Sequence, residues 1–434
     1  MSQRKTVAVI GSGVAGLSAA WLLTRSREVT LYEAAERLGG HSDTFDWDGV
    51  GVDCGFIVYN ERTYPNLTAL FRHLNIATEP SDMSFAVSID DGDFEYSGSG
   101  LRGLVAQKEN VLKPRYWSML KDLLRFFREA PNDLTKGDLG SLGEYLDTRR
   151  YGSAFRHDYL YPMAAAVWST PAMRVMDFPA ANFIRFNANH GLLDLVGRPI
   201  WRTVAGGSRT YVRALAAEIA GVRQACPVRS VRRCDAGVEV MDADGEVRRF
   251  DDVVIAAHAD EALQLLGPPT EAERRLLGRF AYVENEATLH TDVRAMPKRR
   301  AAWASWNYLA NDDSDGRRLF VSYWMNKLQR LPNRPDVFLT LNCPWTIPDS
   351  SVLRRVAYRH PLFDSAAFAA QAELWRLQGV GGIWFCGAYF GYGFHEDGLQ
   401  AGLAVAEAIG GVNRPWRVIG ENDRLPLCYL ESAK

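Results

Sequence analysis

Gly11, Gly13 and Gly16 follow the apolar run Val7-Ala8-Val9-Ile10 and precede the helix-like stretch 17–23. This spacing suits the diphosphate of a dinucleotide. Gly11 permits a tight turn, Gly13 lets phosphate approach the backbone, and Gly16 lets a helix close on a strand. The turn containing Val14 and Ala15 then offers free N–H groups and the positive end of the helix dipole. A second apolar run, 29–32, ends at Glu33 and Ala34. A carboxylate at Glu33 accepts hydrogen bonds from an adenosine ribose and repels a 2′-phosphate, which argues against NADP. Holding these groups together takes a strand, a loop, a helix and a second parallel strand, so an α/β chain is expected.

Further along, 84–100 alternates apolar and polar around Asp90-Asp91-Gly92, which predicts a hairpin. The stretch 113–130 predicts a helix with Trp117, Leu120, Leu123, Leu124 and Phe127 on one face and Lys113, Arg115, Lys121, Arg125 and Arg128 opposite. Residues 139–200 predict short helices broken at Pro162, Pro171 and Pro179. A helix at 211–219, strands at 228–231 and 237–241, a turn at Asp244-Gly245 and a strand at 250–257 follow. Residues 282–345 are strand-like and aromatic, and 382–411 predicts a short strand, a glycine-rich turn and a helix. Nucleotide-binding character thus recurs three times, which predicts a discontinuous Rossmann-like domain (1–80, 203–262 and 376–434) interrupted by an α+β substrate domain (81–202 and 263–375).

The 434 residues suffice for two or three domains, and the net charge of −2 gives no reason to expect nucleic acid. The six cysteines lack Cys-x-x-Cys or metal-like spacing, so no metal is expected and the thiols are read as small buried groups of a reducing compartment. The chain enters its first strand within a few residues and carries no bilayer-length apolar run, which predicts a cytoplasmic protein without a leader. Twelve Trp and seventeen Tyr suit a large apolar cavity as well as a core.

More segments fall into line with the first loop. They are Glu36-Arg37-Leu38-Gly39-Gly40-His41, Asp53-Cys54-Gly55, Gly206-Gly207, the strand 253–257, Ile383-Trp384-Phe385-Cys386-Gly387-Ala388 and Asp397-Gly398-Leu399-Gln400-Ala401-Gly402. In this order they resemble the flavin-containing amine oxidoreductase superfamily, which includes monoamine and polyamine oxidases, protoporphyrinogen oxidase and phytoene desaturases. The segments Phe394-His395-Glu396-Asp397-Gly398, His290-Thr291-Asp292 and Trp306-Asn307-Tyr308 resemble a bacterial subgroup associated with modified fatty acids. The resemblance implies non-covalent FAD. Its diphosphate would lie at Gly11, Gly13 and Gly16, its ribose at Glu33 and its adenine along the backbone at Val228. Gly39, Gly40 and His41 would form a second loop, and Gly387, Gly398 and Leu399 would lie at the ribityl chain and flavin C2 carbonyl. A helix N-terminus there stabilises charge on reduced flavin. His41 stands where the superfamily usually has Arg, and Ala388 and Tyr389 stand where it has Asp.

The same resemblance implies that His395 and Glu396 face the flavin, where a His–Glu pair would move a proton as hydride leaves substrate, against a structural role for both in bonding nearby backbone or the flavin carbonyls. Tyr59 and Asn60 are candidate cavity residues, against a plainer role in loop packing and a turn. Trp303, Trp306, Tyr308, Tyr323 and Trp324 are a candidate aromatic wall or simple sheet packing. Lys298 and Lys327 are candidates for the lysine that amine oxidases keep near the flavin, and neither is assigned. The expected reaction is hydride abstraction from an apolar, acyl-chain-like substrate, with oxygen or a quinone as acceptor. Amine oxidation with release of hydrogen peroxide and a non-catalytic flavoprotein that serves as a lipid-binding or scaffold partner are the alternatives. The basic face of the 113–128 helix is a candidate for peripheral contact with an anionic membrane, against ordinary packing on the substrate domain.

Overall fold

The computed structural model describes residues 4–168, 176–194, 197–313, 316–331 and 333–425, so Pro171 and Cys428 lie outside the described residues. Thr6–Ile10 is the middle strand of a five-stranded, all-parallel sheet. Its neighbours are Glu28–Tyr32 and Gly221–Arg223 on one side, and Asp252–Ile255 and Ile383–Phe385 on the other. Val7, Val9, Val253, Val254, Ile383 and Phe385 are fully or almost fully buried. Both faces are covered, which is why these strands read as continuous apolar runs rather than alternating ones.

Two helices, Val14–Leu23 and His395–Gly410, pack on each other along this sheet. The approach is close enough that a Cβ at Gly402 would overlap the Ala15 carbonyl. The antiparallel strands Val228–Cys234, Gly237–Asp242 and Val247–Phe250 complete the three layers through Val238 and Phe250. The strand expected over 250–257 divides at Asp251. Its carboxylate accepts the Thr6 N–H at 2.7 Å, so the chain leaves the antiparallel sheet there and enters the parallel one.

A second, seven-stranded mixed sheet runs in the order Val352–Leu362, Ala281–His290, Phe338–Leu341, Gly316–Trp324, Trp306–Asp313, Phe85–Ile89, Phe94–Ser97. Its one parallel pairing joins Phe85–Ile89 to Trp306–Asp313, stretches far apart in sequence. The hairpin at 90–92 forms as expected, with Asp90, Asp91 and Gly92 all at positive φ.

Helices including Pro114–Asp133, Leu142–Thr148 and Ala180–Asn189 build the third hydrophobic cluster beside this sheet. Pro162 does not break a helix. Helical backbone runs unbroken over 153–168, and the π turn Arg156–Leu160 directly before Pro162 accommodates its ring and missing N–H. The buried face of Pro114–Asp133 is Tyr116, Met119, Asp122, Phe126, Phe127 and Ala130. The expected face is therefore rotated. Trp117 and Leu124 are 55% and 51% exposed, because Tyr116 turns in to donate to the Leu104 carbonyl and Asp122 turns in to accept the Gly152 N–H. No described helix is long and apolar enough to cross a membrane.

Candidate functional site

Four loops leave the carboxyl ends of the parallel strands at one edge of the sheet, the position at which open α/β sheets bind ligands. They follow Ile10, Tyr32, Ile255 and Phe385. The first turns with Gly11 at φ +100°, where a Cβ would stand 2.6 Å from the Ala256 carbonyl oxygen. Gly16 backs onto the same turn, and a Cβ there would overlap the Gly11 carbonyl. Gly13 differs: a Cβ would meet nothing within 4 Å. It is the N-cap of Val14–Leu23, and no side chain caps that helix.

The second loop bends Glu33 back onto the first. Its Oε2 accepts from Ser12 N at 2.9 Å and from Ser12 Oγ at 2.5 Å, and its Oε1 accepts from Ala35 N at 2.9 Å. Ala34 is exposed beside it. Cys226 N donates to the Glu33 carbonyl, which brings the start of the Val228–Cys234 strand alongside. Gly39 N donates to Ser12 O at 3.1 Å, so the Gly39-Gly40-His41 loop closes over the first turn, and Gly40 lies against Gly13.

The fourth loop, from Gly387 to Phe394, is pinned by Asp397. Its Oδ2 accepts from Tyr392 N at 3.0 Å and Phe394 N at 2.7 Å, and its Oδ1 pairs with Arg424 at 2.9 Å. Gly398 packs on Val14, and Leu399 is fully buried in the core, leaving only its backbone to a ligand.

His395 and Glu396 are neighbours that part company. The His395 ring stacks on Phe56 with centroids 3.8 Å apart. Its Nε2 lies 2.5 Å from the Tyr211 hydroxyl and 3.3 Å from Ser42 Oγ, and the two hydroxyls are also bonded to each other. Burial pushes the His395 pKa down to about 3 and raises that of Tyr211, so the network is neutral at ordinary pH. Glu396 is fully buried and points elsewhere, accepting from Asn66 N, Asn66 Nδ2, Leu67 N and Gln400 Nε2 at 2.8–3.1 Å. No hydrogen bond joins it to His395. The expected His–Glu pair does not form, because consecutive residues at a helix start project in different directions.

Tyr59 packs into the core against Tyr64 and Phe71, and Asn60 Oδ1 accepts from Thr63 N and Oγ1 to make a turn. Both take the plainer role. The aromatic wall divides too. Trp306 and Tyr323 meet edge to face on one side of the sheet, whereas Trp303 and Trp324 pack together under the Arg300 guanidinium. Lys298 pairs with Asp91 near the hairpin turn, and Lys327 donates to Ser84.

A sequence profile of the flavin-containing amine oxidoreductases matches residues 14–410. The chain belongs to this family. It is 29% identical over 283 residues to AofH of Mycobacterium tuberculosis, assigned as a flavin-containing monoamine oxidase, a match covering 62% of this chain and 61% of that one. It is 26% identical over 293 residues to a carotenoid phi-ring synthase of Streptomyces griseus, covering 61% and 54%. The chain thus spans less than two thirds of either relative. Among solved structures, a redesigned putrescine oxidase superposes with TM-score 0.68 at 15% identity over 93% of this chain and 98% of that one. A fatty acid isomerase from P. acnes superposes with TM-score 0.64 at 13% identity over 94% and 99%. At these identities the superpositions speak for the fold.

FAD is the cofactor of this family member, and the residues present fit it. The space over Gly13 and the uncapped helix behind it suit a diphosphate that needs backbone donors and no side chain in its way. Sequence reasoning missed Ser12, Ser42, Phe56, Tyr211, His258 and His360. Of these only His258 carried a signal, standing just past the apolar strand 253–257 at the carboxyl edge.

Proposed function

We propose that this chain is an FAD-dependent oxidoreductase that removes hydride from a C–H bond of an apolar, lipid-like substrate in the manner of a desaturase. Bound FAD supplies the hydride acceptor. The Gly11–Gly16 loop and the helix behind it hold the diphosphate, and Glu33 with the Val228 backbone holds the adenosine. The amino end of His395–Gly410, with Gly387 and Gly398, presents positive dipole to the flavin C2 carbonyl. His395 receives the proton that substrate loses with its hydride. Tyr211 and Ser42 hold the ring through Nε2, so the proton enters at Nδ1, and because burial favours the neutral ring it is released to solvent as product leaves.

One observation carries the preference for an apolar substrate: the buried carboxylates beside the site are all committed to protein partners. Asp43 is held by Arg354, Arg37 and Tyr358. Asp53 is held by Ser208, Thr44 and Gln329, Asp397 by Arg424, and Glu396 by Asn66 and Leu67. None is left to receive an ammonium group. The accessible surface near His395 is aromatic instead, with Phe56 on its ring and Phe394 stacked on Phe186 at 4.9 Å.

Amine oxidation is the second reading, favoured by the activity assigned to the mycobacterial relative. Anaerobic mixing of flavin-loaded protein with lipid extracts and with an amine panel separates the two. Bleaching of the flavin band by lipids alone supports the proposal. Bleaching by amines alone overturns it in favour of the second reading, and bleaching by neither points to a non-catalytic flavoprotein.

Access from a membrane is part of the same proposal. Leu112 is 85% exposed near exposed Trp117, whose indole donates to the Val111 carbonyl, and Lys108 and Lys121 are exposed on the same segments, as is Glu109. Exposed apolar side chains with lysines nearby suit an anionic lipid surface.

A further inference from the structure

FAD brings two negative charges on its diphosphate, and the arginines around its loop already face carboxylates, Arg37 keeping one buried Nη1 without a partner. Arg37 and Arg354 pair with Asp43, and Arg359 pairs with Asp260 and Glu261. What borders the loop instead is a group of histidines. His41 directly follows Gly40, which lies against Gly13. His258 follows Ala256-Ala257, whose backbone covers Gly11. The His41 ring centroid lies 5.9 Å from that of His258 and 5.6 Å from that of His360.

Their nitrogens are not used up within the protein. His41 Nε2 and His258 Nδ1 are buried and have no hydrogen-bond partner, the nearest carboxylate oxygen to His258 Nδ1 being Glu261 Oε2 at 3.8 Å. Asn342 Nδ2 donates to Asn285 Oδ1 at 2.7 Å, which turns Asn285 Nδ2 to donate to His360 Nδ1 at 2.9 Å. That fixes the His360 proton on Nε2, free to donate. Buried polar atoms left without partners are costly, so a cluster of them beside an anion site is a site awaiting its ligand.

We propose that His41, His258 and His360 clamp the FAD diphosphate, donating to its oxygens and taking up a proton from solvent as the dianion binds. The inference rests on the placing of the diphosphate at the Gly11–Gly16 loop. Without the anion all three rings are held neutral. Burial, helped by His360, His258, His395 and Arg37, lowers His41 to about 3. Burial and His258 lower His360 to about 4. Burial lowers His258 too, opposed by Glu261 and Asp260 and reinforced by Arg359. The other groups facing the cluster are Tyr358, 5.1 Å from His41 and bonded to Asp43, and Tyr282, stacked on His258 at 4.4 Å. Burial raises both phenols, so neither carries charge near neutrality. A dianion is the one partner that reverses the sign of the local field, and proton uptake follows from it.

The test is titration of flavin-stripped protein with FAD, and separately with riboflavin, which lacks the diphosphate. Flavin fluorescence gives affinity, and calorimetry in two buffers of different ionisation enthalpy counts protons. The expected result is uptake of about one proton per FAD and none per riboflavin, with FAD affinity falling up to ~10-fold per pH unit as pH rises through the titration of the clamp. His41→Arg is expected to keep FAD binding while flattening the pH dependence. His258→Gln is expected to weaken binding and reduce uptake, and it serves where His41 variants fail to fold. FAD binding by the wild-type protein with uptake of less than about half a proton overturns the clamp and leaves the FAD assignment standing. Failure of the wild-type protein to bind FAD at all overturns the assignment itself.

Discussion

Replacing Glu396 by alanine tests whether this buried carboxylate anchors the fold or moves a proton. The helix Pro65–His73 has no cap of its own, since Tyr64 at its N-cap makes no side-chain bond. Glu396 performs that task from another element, accepting both Asn66 N and Leu67 N at 3.0 Å. It also accepts from Asn66 Nδ2 and Gln400 Nε2, whose other N–H goes to Glu421 O and Gly420 O; losing Glu396 frees one hydrogen on each, but a side-chain amide turns to another acceptor where a backbone N–H cannot. Truncation therefore orphans the two backbone donors. At ~1–3 kcal/mol for each buried donor left unmet, the loss is about 4 kcal/mol. For a chain of 434 residues unfolding as one unit that corresponds to a fall in Tm of about 4–5 °C. Glu396→Gln keeps one acceptor oxygen and is expected to lose about half as much. The assays are thermal unfolding of the flavin-loaded protein and anaerobic flavin reduction, normalised to bound flavin. The expected result is a large loss of stability with an unchanged reduction rate. A Tm like that of wild type combined with a reduction rate slowed ~10-fold or more refutes the anchoring role and restores Glu396 to the chemistry.

Other outcomes follow from the same geometry. Gly13→Val is expected to leave the thermal stability of flavin-free protein unchanged while abolishing flavin retention, because no protein atom lies within 4 Å of the added Cβ. Gly16→Ala is expected to destabilise the apoprotein itself, because its Cβ overlaps the Gly11 carbonyl. A yellow Gly13→Val protein contradicts the diphosphate site. His395→Ala is expected to slow flavin reduction with FAD still bound, and the wild-type rate should show no histidine step between about pH 5 and 8, because the ring stays neutral there. Unaltered reduction kinetics remove His395 from the mechanism. His190 and His290 are buried with pKa values pushed down to about 3 and about 4, below the ordinary 6.5. Both must charge on unfolding, so stability present above pH 6.5 is lost as pH falls, by ~1.4 kcal/mol per unit for each. Urea midpoints of flavin-free protein that stay constant from about pH 7 to 5 exclude this. Leu112→Asp with Trp117→Glu is expected to reduce co-sedimentation with anionic vesicles while leaving flavin reduction by a micellar substrate unchanged. Equal sedimentation of variant and wild type removes the membrane surface from the proposal.

The amino-acid sequence by itself determined the parallel core and the glycine-rich turn that follows its first strand. The short apolar runs at 7–10 and 253–255 and the β-branched stretch at 29–32, each ending at a turn or helix start, read as buried strands, and Gly11, Gly13 and Gly16 are local requirements of one turn. Those constraints act over a dozen residues, so they are legible in order along the chain. Tertiary structure alone decided how the long-range partners meet. Nothing local distinguishes Glu396 as a cap for a helix more than three hundred positions earlier, or joins Ser42, Tyr211 and His395 into one hydrogen-bonded group. The rotation of Pro114–Asp133 was decided in the same way, since its apolar side chains ring the helix and the choice of buried face fell to Leu104 and Gly152. The histidine cluster draws one ring from each of three distant segments, and packing of the two sheets brings them together. Periodicity reports which residues seek burial, whereas the identity of a buried polar group's partner depends on where distant backbone and side-chain atoms come to rest.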